Sequence, residues 1–173
     1  MNTECATFRL STLDIDENAT GNINNQYGKV DSIKSDTTWN NVNFKNILGD
    51  MLYKYDKFNL KLHAIHFTTV ATGTTSITEL LLKINIAGLP FSNCNYDFKK
   101  QLIDYSVIGL YTMTTSRNIY YPDSNFITIH RPAENTNIRI FLTTLDNKVP
   151  DWATLTFIGQ QFEFVFQIYG VKD

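Results

Sequence analysis

The sequence is poor in cysteine and in charge, and each shortage excludes a class of protein. Its 173 residues include only two cysteines, Cys5 and Cys94, and neither has a C-x-x-C neighbour, so no disulfide framework is predicted. Charged residues make up 18% and the net charge is −2. Lys99–Lys100 is the only adjacent basic pair. Because phosphate binding draws on clustered Lys and Arg, we expect no nucleic-acid partner.

Long hydrophobic segments are also missing. The longest apolar runs, such as Leu80–Leu82, are far too short to cross a bilayer, so no membrane span is expected. The first residues, MNTECATFRLSTLD, lack the basic and apolar regions of a signal peptide. These observations predict a soluble protein made in a reducing compartment, with both thiols free.

Asparagine and threonine, by contrast, are abundant. The 18 asparagines and 21 threonines together outnumber the charged residues. Asn suits turns and Thr suits strands, which favours many strands joined by ordered loops, although an AT-rich genome would produce the same bias. The length is that of one domain, and no linker or repeat divides the chain. We therefore predict a single domain over residues 1–173.

Alternation of apolar and polar residues predicts a series of strands. In the last of them, Phe164, Phe166 and Ile168 should face the core, while Gln167 and Tyr169 face outward. Seven or eight strands with turn-rich connections indicate a β-sandwich or a jelly roll. The predicted strands are Ala6–Ile15, Phe58–Val70, Leu80–Ile86, Tyr105–Thr115, Asn125–His130, Ile138–Leu142 and Phe162–Tyr169, with a short edge strand near Lys29–Ile33. Residues 16–38 otherwise, and 91–100, are predicted to be loops.

One segment has the period of a helix. Between Trp39 and Tyr53 the apolar residues are spaced as on one helical face, and the strand beginning near Phe58 follows directly. Such a helix can cover the open end of a sandwich. We therefore expect it to be a stabilising plug, with its apolar side chains Phe44, Ile47, Leu48 and Met51 buried.

Each candidate for a catalytic or metal site is weak. His63 and His66 would face opposite sides of a regular strand, although a bulge would bring them together, and no Cys or carboxylate stands beside them at ligand spacing. The acidic run 14–17 lacks the spacing of a calcium loop, TGTTS (72–76) lacks the G-K-[ST] of a phosphate loop, and His130 has no nucleophile elbow. Carboxylates distant in sequence could still meet, but no particular pair is indicated. We predict no catalytic residue, metal or cofactor, and no enzymatic activity.

Aromatic residues, at 13%, leave a binding function open. The phenylalanines of the last strand have the spacing of a core face. Tyr120-Tyr121-Pro122 and Trp152 fall in predicted loops and are better candidates for contact with a ligand. A carbohydrate-binding β-sandwich module, using loop aromatics and Asn side chains, is therefore one of two functional hypotheses.

The other hypothesis comes from a resemblance. The stretch WNNVNFKNILGDMLYKYDKFNL (39–60), followed by a long strand and then LLLKINIAGLPF (80–91), resembles the single jelly-roll capsid proteins of large eukaryotic double-stranded DNA viruses. The resemblance extends from about Thr38 to Gly170 and is one of pattern. It implies an all-β fold, a single jelly-roll sandwich of about eight antiparallel strands with one short helix before the second long strand.

The same resemblance implies a structural role in the virion. Such proteins form pentons at the fivefold vertices or act as minor capsid proteins. The chain would then be made in the host cytoplasm and reside in the capsid, and its partners would be itself as a homopentamer, the major capsid protein and other minor capsid proteins. The polar segments 16–38 and 92–104 are expected at subunit contacts.

Overall fold

The predicted strands form two antiparallel sheets. The computed structural model describes residues 4–11, 29–30, 36–67, 79–91, 93–98, 101–112, 119–122, 124–143, 145–146 and 162–172. The strands within these ranges are β1 (Cys5–Ser11), β2 (Lys29–Val30), β3 (Asp36–Asn43), β4 (Lys57–Phe67), β5 (Glu79–Ile86), β6 (Asn93–Phe98), β7 (Gln101–Thr112), β8 (Ile119–Tyr120), β9 (Ile127–His130), β10 (Asn135–Thr143) and β11 (Phe162–Val171). Two short helices, α1 (Phe44–Leu48) and α2 (Met51–Lys54), lie between β3 and β4.

The order of the strands is that of a jelly roll. One sheet runs β1–β11–β4, and β8 and β9 pair with successive segments of the remaining edge of β4. The other sheet runs β2–β3–β10–β5–β7–β6. The pairs β1–β11, β3–β10, β4–β9 and β5–β7 are nested, so the chain resembles one long hairpin rolled into a sandwich. This nesting gives the two Greek keys of a jelly roll and confirms the predicted fold class.

The core lies between the two sheets. Phe164, Phe166 and Ile168 are buried as predicted, in one cluster with Leu60, Leu82, Ile84 and Ile140. The Trp39 ring meets Phe164 edge-on, with centroids 5.9 Å apart. The Trp39 Nε1–H donates to the carbonyl of Ser11 at 3.2 Å, which satisfies the buried indole. This bond ties β3 in one sheet to β1 in the other.

The helical plug is present, in two turns rather than one continuous helix. Asn43 caps α1 by accepting a hydrogen bond from the Asn46 N–H at 2.8 Å, as expected of an N-cap asparagine. Gly49 ends α1 with a φ of 53°, a conformation that favours glycine. Phe44 and Leu48 are buried, and Leu52 of α2 is buried as well. Ile47 and Met51 are only partly buried against the same core, so the predicted burial is confirmed for Phe44 and Leu48 and is incomplete for the other two.

Tyr55, which follows α2, fixes the plug to the last strand. Its side chain is 5% exposed and lies on the backbone of Gly170 in β11, so close that a Cβ at Gly170 would be 2.5 Å from the ring. The Tyr55 carbonyl accepts a hydrogen bond from Arg131 Nε at 3.0 Å. Exposed ion pairs, Lys54–Glu4 and Arg131–Asp56, surround this contact.

The predicted start of the helix is wrong. Trp39 and Val42 are buried residues of β3, and their three-residue spacing imitates a helix because β3 contains a bulge. The pairing with β10 shifts between Thr136 and Ile138, and Asn41 has a φ of 54°. The Asn41 N–H donates to Asn137 Oδ1 at 3.0 Å. A bulge adds one residue to a strand and changes which face follows, so both apolar side chains reach the core.

The predicted loop at 91–100 is also wrong for most of its length. Residues 93–98 form β6, which pairs with β7 and makes one edge of the six-stranded sheet. The segment NCNYDF does alternate, with Cys94, Tyr96 and Phe98 between polar residues, but those polar residues are Asn and Asp, which also favour turns. The strand was therefore misread as a loop, and β7 begins at Gln101 rather than Tyr105.

Candidate functional site

The two strand histidines face the same side of the sheet. Residue pairing between β4 and β11 shifts between Val165 and Phe166, which oppose Ala64 and Leu62, so His63 is the extra residue of a bulge. The expectation for a regular strand is corrected: the bulge reverses the alternation, and both histidines lie on the outer face. Even so, the described part of the chain contains no group of three His, Cys, Asp or Glu side chains that could hold a metal.

His66 belongs to a charged cluster. Glu163 Oε1 contacts His66 Nδ1 at 3.0 Å and Arg9 Nη1 at 3.2 Å, so one carboxylate joins three neighbouring strands. Cross-strand pairing places Ser11, Glu163 and His66 in one row. A hydrolytic triad needs the histidine between the nucleophile and the carboxylate. Here the carboxylate lies between the other two, so this row is suited to joining strands rather than to acyl transfer.

The other candidates from the sequence are dispersed. His130 is exposed at the end of β9 and pairs with Lys57, at the opposite end of β4 from His66. Tyr121 is 65% exposed, and its ring meets the His63 ring edge-on at 5.8 Å. The acidic run 14–17, the segment 72–76, Trp152 and the side chain of Tyr120 lie outside the described residues.

Cys5 is a free, exposed thiol on β1, as predicted. The chain has only one other cysteine, so Cys94 of β6 has no intrachain disulfide partner. The thiol of Cys94 lies outside the described side chains. Cys5 pairs across the sheet with Tyr169 of β11. Burial raises the pKa of Tyr169, and the neighbouring Cys5 raises it further by a smaller amount.

A buried lysine lies on the outer face of the six-stranded sheet. Lys83 is 0% exposed and pairs with Phe141 and Val107 across the sheet. Its ammonium lies 4.4 Å from the centre of the Tyr105 ring, a cation–π geometry. Burial lowers the pKa of Lys83 to about 8, because a low-dielectric environment disfavours the charged form.

The outer face of the other sheet carries an exposed aromatic pair. Phe126, just before β9, is 54% exposed, and its ring meets that of Tyr169 at 83° with centroids 5.5 Å apart. The Lys61 ammonium lies 5.6 Å from the centre of the Phe126 ring. Amide side chains of Asn59 and Gln167 flank the two rings, because Asn59 pairs with Tyr169 and Gln167 pairs with Lys61. We call these five residues the outer-face notch.

The notch was only half visible in the sequence. Alternation correctly placed Gln167 and Tyr169 on the outward side of β11. Alternation cannot predict that β9 and β11 both pair with β4, and this pairing places Phe126 beside Tyr169. Residues distant in sequence meet only once the register is known.

No protein-family model, curated protein or solved structure matches this chain. In the part of the chain that the structure describes, no helix is long and apolar enough to cross a membrane. Function is therefore inferred from the chain's own topology and surface.

Proposed function

We propose that this chain is a structural virion protein, a single jelly-roll penton or minor capsid protein of an icosahedral large DNA virus. The observation that carries the proposal is the nested strand order, with the sheets β1–β11–β4–β8/β9 and β3–β10–β5–β7. Double-sheet jelly rolls are a recurrent architecture of viral capsid domains. The sequence resemblance at 39–60 and 80–91 points to the same class.

The two sides of the sandwich differ, which suits assembly into a ring. One side carries the edges β1 and β2, because Trp39 joins β3 to β1. The other carries β6 and the β8–β9 edge, where Pro122 and Ser124 lie against Gly109 of β7. A closed ring requires two different patches on every subunit. Contact between unlike sides of adjacent subunits would supply them in a homopentamer.

The polar segments 16–38 and 92–104 are placed at contacts in this proposal. The second includes β6, an edge strand of the six-stranded sheet. Edge strands present unpaired backbone groups that a neighbouring chain can use. In the capsid, these contacts would be with adjacent copies, with the major capsid protein or with other minor capsid proteins.

Native mass spectrometry and electron microscopy of the purified protein test the proposal. We expect a species of about 100 kDa, five times the 19.9 kDa of one chain, that averages to fivefold rings. Backbone amides of residues 93–98 should exchange hydrogen more slowly in the assembled state than in the isolated chain. A protein that stays monomeric at every concentration, does not enter particles and shows equal exchange in both states would contradict the proposal.

A further inference from the structure

The outer-face notch has the shape of a corner. The rings of Phe126 and Tyr169 are nearly perpendicular, at 83° and 5.5 Å, so one ring offers a face where the other offers an edge. Phe126 is 54% exposed, and Tyr169 is half-buried. A flat, partly apolar molecule can therefore stack on one ring and abut the other.

Hydrogen-bond donors surround this corner. The Tyr169 hydroxyl donates to Gln167 Oε1 at 3.0 Å, and the Thr128 hydroxyl donates to Asn59 Oδ1 at 2.9 Å. Both bonds occupy amide oxygens. Within the described part of the chain, the amide nitrogens of Asn59 and Gln167 make no hydrogen bond, and each carries two N–H donors. The Lys61 ammonium adds a further donor beside the Phe126 ring.

The notch is also fixed before any ligand arrives. Its side chains are held by contacts with one another: four lie on the paired strands β4 and β11, and Phe126 lies directly before β9, which pairs with β4. Ordering a side chain on binding costs free energy, so a prearranged site loses less of it. The Tyr169 hydroxyl is protonated at neutral pH, as any tyrosine is, and can donate to Gln167; burial raises its pKa further.

We propose that the outer-face notch binds a neutral pyranose unit of a glycan. A pyranose has a face of C–H groups and a rim of hydroxyls, and this combination matches an exposed aromatic ring surrounded by amide N–H donors. The C–H face would stack on Phe126. The hydroxyls would accept hydrogen bonds from Asn59 and Gln167.

The charge of the notch distinguishes a sugar from a nucleic acid. Bases also stack on aromatic side chains, but binding of the phosphate backbone requires several clustered cations. Lys61 is the notch's one cation, and its ammonium lies over Phe126. A neutral ligand needs no further positive charge.

The inference is independent of capsid assembly and has its own test. The ¹⁵N-labelled full chain is titrated with the methyl β-glycosides of glucose, galactose and N-acetylglucosamine, and amide chemical shifts are followed by NMR. We expect saturable shifts for at least one of the three, with a Kd on the order of 1 mM. The shifted amides should lie in β4, β9 and β11 around the notch.

Three variants show whether the notch is responsible. Phe126→Ala removes the exposed ring and should weaken binding by about tenfold or more. Gln167→Glu keeps the shape but replaces N–H donors with a carboxylate, and should weaken binding while the spectrum remains that of the folded protein. Tyr53→Ala removes an aromatic side chain of similar exposure, 53%, from α2 and should leave the Kd unchanged.

Several results would overturn the inference. One is the absence of saturable shifts with all three glycosides, and another is binding that Phe126→Ala leaves intact. Shifts at the same amides that depend on protein concentration alone would assign this face to a second copy of the chain. Missing glycoside binding, or binding that Phe126→Ala leaves intact, gives no information on ring formation, so the capsid proposal and the glycan site fail separately.

Discussion

Replacing Gly170 with alanine should destabilise the fold, because the ring of Tyr55, which follows the plug, lies directly on this residue. An added Cβ would be 2.5 Å from Cδ2 and Cε2 of Tyr55 and 2.8 Å from its Cγ. Ordinary contact needs about 1 Å more, so the ring or the strand must move. Tyr55 has little room, since it is 5% exposed and its ring packs edge-on against Phe58 at 6.1 Å. Overpacking of this kind costs about 1–3 kcal/mol.

Denaturant unfolding with a double-mutant cycle measures this cost. Gly170→Ala should lower the free energy of unfolding by that amount, and most of the loss should disappear when Tyr55 is already Ala. Gly109→Ala is a matched control in β7, because its Cβ would come no closer than 3.3 Å to Pro122, and it should cost less. A loss below about 0.5 kcal/mol for Gly170→Ala, or equal losses with and without the Tyr55 ring, would refute the proposed contact.

Four further predictions follow from buried and reactive groups. Phe164→Ala should lower the free energy of unfolding by about 3–5 kcal/mol, and a loss under about 1 kcal/mol would contradict its position in the core. Lys83→Met should stabilise the protein by about 1–2 kcal/mol at pH 7. Because the pKa of Lys83 is about 8 in the folded protein and the ordinary lysine value is 10.5, the unfolded chain binds more protons between these two values. The free energy of unfolding of the wild type should therefore rise with pH over that window relative to the variant. If urea unfolding shows the same difference between the two proteins at every pH, the burial of Lys83 is refuted. Thr143→Val should stabilise the protein by about 1 kcal/mol, because the buried Thr143 Oγ1 has no hydrogen-bond partner in the described part of the chain. A lower melting temperature for the variant would contradict this and would indicate that the hydroxyl has a partner. Cys5 should react with a thiol reagent in the native protein without prior reduction, and mass spectrometry that finds it in a disulfide would contradict the free thiol.

The fold could be predicted where one face of an element is buried and the other is not. In β11 the alternation of Phe164, Phe166 and Ile168 identified both the strand and its inner face. The plug was identified for the same reason, since its apolar side chains lie on one face and that face is buried in the core. Bulges caused the main error, because Trp39 and Val42 reach the core at a spacing that a regular strand does not allow.

The surface could be predicted less well, because it depends on pairing rather than on periodicity. The bulge at His63 reverses the orientation of the residues that follow it in β4, and no local pattern marks it. Phe126 lies at the end of a loop and Tyr169 lies in a strand, far apart in the sequence. They are in contact because β9 and β11 both pair with β4, and this long-range pairing cannot be predicted from composition or local pattern.

The nested pairing also constrains how the protein is made. β11 lies between β1 and β4, yet it is the last of the described strands to leave the ribosome. Until residues 162–171 emerge, β1 has no partner among the described strands and β4 can pair only with β8 and β9 along its other edge, so the sheet is incomplete. Contacts this distant in sequence slow folding, and unpaired strands are prone to aggregation meanwhile. We therefore expect nascent chains lacking β11 to need a chaperone, and the first sheet to form only after β11 has been synthesised.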